Sequence, residues 1–72
     1  MSQDRTWHRG PVAHQYSLIV GEWQALVWQQ PMGRWAALIS RDHTAVTERY
    51  FTNLMDAQMW CEARIVQLQA KP

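Results

Sequence analysis

The dipeptide Gly21-Glu22 constrains this chain more than any other feature. It separates two short apolar runs, Tyr16 to Val20 and Trp23 to Gln29. A two-residue loop with Gly first suits a type II′ turn, whose twist matches that of an antiparallel hairpin. Taking Val20 opposite Trp23 places Leu18 opposite Ala25 and Tyr16 opposite Val27, so these six side chains share one face. Turn chemistry and side-chain alternation therefore agree on one register.

Further punctuation extends the sheet. In Pro31-Met32-Gly33 the proline presets the first turn position and the glycine supplies a positive φ, which predicts a three-residue hairpin loop with a glycine bulge. A third strand over residues 34–41 then pairs Gln30 with Arg34. It brings Trp35, Ala37 and Ile39 onto the face of Ala25 and Val27. Arg41-Asp42-His43-Thr44 reads as a polar turn, and residues 45–51 as a fourth strand. Either face of that strand brings a charged residue toward the core, which assigns it to a sheet edge.

Asn53 is a good helix N-cap, and Asp56 stands three residues on, where a carboxylate suits the positive helix terminus. The helix should run to about Gln69, with Pro72 beyond its end. Leu54, Ala57, Cys61, Ile65 and Leu68 recur at helical spacing as its core stripe. The expected fold is α+β: a four-stranded antiparallel meander with one C-terminal helix on one face, a ββββα order. Residues 1–14 read as an irregular leader, broken by Gly10-Pro11, and residues 15–70 as the single domain. Within the leader, only Trp7 is suited to dock on the body.

After the inner sheet face meets the helix stripe, apolar residues are left over. The opposite sheet face carries Ile19, Leu26, Trp28, Ala36 and Leu38, bordered by Ser17, Gln24, Gln30, Arg34 and Ser40. A solvated sheet face should be mostly polar, whereas an apolar centre with a polar rim has the anatomy of an interface. No second helix exists to cover this face, although Trp7 could cover part of it. On the helix, Met55, Met59 and Val66 lie a quarter to a half turn from the core stripe, continued by Ala63, with Trp60 on the other flank. Either a small core wraps far round its only helix, or these residues form a second interface.

Chain length sharpens the point. A domain of 72 residues buries a modest share of its surface, and such chains lean on disulfides, metals or oligomers. Cys61 is the only cysteine, so no intrachain disulfide forms. His8, His14 and His43 are dispersed, with no partner set for zinc. A homodimer is the expected compensation. The lone thiol, and a first fifteen residues too polar for an export signal, point to the cytoplasm. No cofactor is implied.

Catalytic residues are not expected. Asp42 and His43 are turn neighbours that rarely face one another, Cys61 sits mid-stripe, and the three glycines form no phosphate-cradling loop. Seven basic and six acidic residues give a net charge of +1, which does not predict polyanion binding. Six of the seven bases are nevertheless Arg. Arg34, Arg41 and Arg49 border strands near Trp28, and such interleaving could form a stacking platform for single-stranded nucleic acid.

The order over residues 16–69 resembles that of the Whirly and positive-cofactor type of single-stranded-DNA-binding regulators. The resemblance implies a dimer that binds nucleic acid on its sheets; it carries no functional residue over. Small accessory proteins of phages and mobile elements share the same general look. Two functions are therefore expected. The first is a non-catalytic protein-interaction module, homodimeric and regulatory or accessory, using Ile19, Leu26, Trp28, Leu38, Met55, Met59 or Val66. The alternative is a single-stranded nucleic-acid binder using Arg34, Arg41, Arg49 and Trp28.

Overall fold

Three tight connections set the sheet, and each uses backbone that L-residues rarely adopt. In the computed structural model, which describes residues 7–70, Gly21 has φ +61° and links β2 (Gln15–Val20) to β3 (Trp23–Gln29). The register is the expected one: Val20 faces Trp23, Leu18 faces Ala25, and Tyr16 faces Val27. A 3-10 turn at Pro31–Gly33 joins β3 to β4 (Trp35–Arg41), closed by a 2.7 Å bond from Gln30 N–H to the Arg34 carbonyl. Both Met32 (φ +74°) and Gly33 (φ +85°) are left-handed there. Asp42 and His43, at φ +51° and +65°, turn β4 into β5 (Thr44–Phe51). Positive φ at both central positions is the type I′ signature, and Asp and His tolerate it better than most residues.

The fold is α+β: a five-stranded antiparallel meander with a C-terminal helix, α1 (Leu54–Ala70), packed on one face. The fifth strand is β1 (His8–Arg9), which pairs His8 with Ser17 and Arg9 with Tyr16. It lies inside the stretch read as irregular leader. Two residues are too few to show alternation, so only the pairing reveals them. Residues 1–6 of that leader, and the helix stop at Pro72, lie outside the described residues.

α1 is capped as its sequence dictates. The Asn53 side-chain oxygen accepts the Asp56 N–H at 2.8 Å, and its amide donates to the Asp56 carboxylate at 3.0 Å. Ala57, Cys61 and Ile65 are fully buried against β3, β4 and β5, with Leu54 and Leu68 half-buried beside them. Below them lie Leu18, Ala25, Val27, Ala37 and Ile39, none more than 1% exposed.

Trp7 joins this core. It packs against the buried cluster, and its indole N–H donates to Glu62 of α1 at 2.9 Å. It therefore docks on the helix side of the sheet, and the partial cover of the outer face that it could have given is absent.

Candidate functional site

Cross-strand register arranges the outer face into rows. One row runs His8, Ser17, Leu26, Leu38, Glu48 across all five strands. A second runs Gln15, Trp28, Ala36, Tyr50, and a third Ile19, Gln24, Ser40, Ala45. The middle of the face is apolar, and the acidic residue within these rows is Glu48 on one edge strand. Among the described residues no element lies over it: α1 and Trp7 are both on the other side. Ile19 is 62% exposed and Tyr50 47%, while Leu26, Trp28 and Leu38 are half-buried by their own neighbours. Ala36 has no exposed surface between Trp28 and Tyr50, its neighbours on the row.

The edge strand explains why Tyr50 and Glu48 were not assigned to this face from sequence. Ser40 pairs with Ala45 but Ile39 pairs with Thr47, so Val46 is an extra residue, a β-bulge. A bulge flips the alternation halfway along the strand. Thr47, Arg49 and Phe51 then face the helix side opposite Ile39, Ala37 and Trp35, and Glu48 and Tyr50 face out. Read with an unbroken period of two, both faces of this strand look mixed. The strand does lie at a sheet edge, as expected.

The helix residues proposed as a second interface are also exposed: Met55 at 69%, Met59 at 61% and Val66 at 43%. With Ala63 they lie on the side of α1 opposite Cys61, so the helix has apolar stripes on two opposed faces. The core does not wrap round to include them. Trp60 differs: it is half-buried, its ring 5.7 Å from that of Phe51.

The structure does not bring the arginine set together. Arg41 lies on the helix side at one end of the sheet, paired to Glu22 at 2.7 Å and 5.3 Å over the Trp23 ring. Arg49 is on the helix side of the edge strand, 5.7 Å over Phe51. Arg34 is exposed at the opposite end of the sheet, just before β4. Trp28 sits on the outer face, and Arg34, extended beside Gln30 just before β4, continues that side of the sheet at its end; Arg41 and Arg49 do not.

Chemistry elsewhere is sparse. Cys61 is fully buried, and burial first, then the neighbouring Glu62 charge, pushes its thiol up to about 12. That thiol is a poor nucleophile. No group of three His, Cys, Asp or Glu side chains converges among the described residues. His14 lies edge-on to Trp35, with ring centroids 6.4 Å apart, and the buried side-chain polar atoms of the described residues all have partners. No helix among the described residues is long and apolar enough to cross a membrane. No family model, curated protein or solved structure matches the chain.

Proposed function

We propose that the protein is a non-catalytic protein-interaction module of a regulatory or accessory kind, whose working surface is the outer face of its sheet. One observation carries the reading: the uncovered rows through Ile19, Leu26, Trp28, Leu38 and Tyr50. Leaving such a surface in water forgoes roughly 25 cal/mol for each Å² of apolar area that a partner would bury. Aliphatic side chains at its centre favour a protein partner, since Leu and Ile neither stack on bases nor neutralise phosphate. Met55, Met59 and Val66 offer a second, narrower contact on the far side of the domain.

A second reading rests on Trp28 and Tyr50, two aromatic side chains on one row of that face. They are the residue type on which single-stranded nucleic acid stacks, as the resemblance to Whirly-type regulators also suggests. Arg41 and Arg49 argue against it, because both stand on the helix side.

A photoreactive amino acid at position 38 tests the pair of readings in cells. The expected adducts are proteins and survive nuclease treatment, and a control probe at Gln69 does not give them. Adducts consisting of nucleic acid would overturn the reading. So would salt-sensitive micromolar binding of a single-stranded oligonucleotide that is lost in Arg34→Ala/Arg41→Ala, since phosphate contacts release counterions.

A further inference from the structure

We infer that the occupant of the outer face is a second copy of this chain, packed sheet on sheet about a twofold axis parallel to the strands. The inference rests on the reading of that face as a protein-binding surface.

Area selects the sheet face over the helix stripe. Strands β2 to β5 contain six to eight residues each. At about 4.8 Å between strands and 3.3 Å per residue, they span roughly 19 by 23 Å, on the order of 440 Å² in plan. Side chains standing off the sheet raise the accessible area further. Two such faces together bury about the 1,000 Å² that a specific interface requires. The stripe on the 17-residue α1 is about 25 Å long and under about 10 Å wide, so two of them bury only about half of that.

The charged row selects the symmetry. A twofold parallel to the strands through β3 exchanges the two edges of the sheet but keeps each row in place. In the row His8, Ser17, Leu26, Leu38, Glu48, His8 then faces Glu48 of the second copy at both edges. Ser17 faces Leu38, and Leu26 faces its own equivalent at the centre. An imidazole donates a hydrogen bond to a carboxylate whether it is neutral or charged. Trp28 lies over Trp28, where offset rings pack well. A twofold across the strands fails on the same row. It sets Glu48 against Glu48, and it lays the Trp28 row over the polar Gln24 and Ser40 row. Like charges placed opposite one another weaken an interface. The contact is isologous and closes at two copies.

Sedimentation equilibrium of the full chain at micromolar concentration and low salt tests this. Twice the 8.5 kDa protomer mass is expected. Leu26→Asp should leave only protomers, with unchanged circular dichroism. Glu48→Lys and His8→Glu should each weaken the dimer by about tenfold, and the double variant His8→Glu/Glu48→Lys should restore it to within about threefold of wild type. A dimer in which the double variant is no better than the singles overturns the strand-parallel twofold. A wild-type protomer at all concentrations overturns the second copy as occupant. In either case the cellular adducts at position 38 independently decide whether the face binds protein at all.

Discussion

The two faces of this sheet are built from the same kinds of residue and meet opposite fates. On the inner face Ala25, Val27, Ala37 and Ile39 have no exposed surface. On the outer face Ile19 is 62% exposed, and Leu26, Trp28 and Leu38 are only half-buried. The difference is a single layer: α1 covers one face and nothing among the described residues covers the other. The same residue types that make a core under α1 stay in water where no element of the described residues overlies them.

The largest effect that could break this comparison lies on adjacent residues of β4. Ile39 points to the helix and Leu38 away from it. Ile39→Ala should cost about 2–5 kcal/mol, the usual loss for emptying a fully buried aliphatic site. Leu38→Ala, measured below the concentration at which the protein associates, should cost about 1 kcal/mol or less, because only part of that side chain is desolvated in the protomer. Urea unfolding followed by intrinsic fluorescence checks both. Equal losses would mean that the outer face is core in the protomer itself, and the case for a partner would fall.

These faces were legible in the sequence to different depths. The β2–β3 register could be read because Gly21 and the alternation on both flanking strands point the same way. Asn53 and the stripe from Leu54 to Leu68 placed α1 for the same reason. On β5 the reading stopped at Val46, since a bulge removes the periodicity on which any face assignment depends. The row from His8 to Glu48 was invisible twice over: His8 sits on a two-residue strand, and Glu48 lies just after the bulge. Trp7 was legible as a docking residue, but the face it docks on was not, because nothing local to it indicates Glu62. Arg41 and Arg49 border strands near Trp28 along the chain, yet side-chain parity sends both to the other side.

A thiol provides a second, smaller contrast between the faces. Cys61 is sealed under α1, with its thiol pushed from the ordinary 9.0 to about 12. Between those values the unfolded chain releases the proton and the folded protein retains it. The unfolded state then binds fewer protons, so stability falls as pH rises from 9 toward 12. Below pH 9 the residue makes no such contribution. Cys61→Ala should cost about 1 kcal/mol at neutral pH, as small core truncations do, and should flatten the alkaline slope. A thiol reagent should modify native Cys61 slowly. Introducing Leu38→Cys into Cys61→Ala should give a fast-reacting thiol on the outer face when labelled below the concentration at which the protein associates, and rapid labelling of native Cys61 would contradict the burial of the inner one.

The smallest expected change belongs to a residue that serves neither face. Met32 is fully exposed, at 102%, in the β3–β4 connection, and holds φ at +74°. An L-residue pays about 1 kcal/mol or more for that conformation, because its Cβ crowds the following carbonyl. Glycine adopts it without that clash but has more freedom to lose on folding. The two terms partly cancel, so Met32→Gly should stabilise the protein by a few tenths of a kcal/mol and by no more than about 1 kcal/mol. The side chain touches neither the helix-covered core nor the outer rows, so association should be unaffected in sedimentation. Loss of stability in Met32→Gly would mean that the freedom glycine loses on folding outweighs the relieved clash, whereas a shift in its dimer mass would show that this exposed methionine extends the outer surface beyond the rows and takes part in binding.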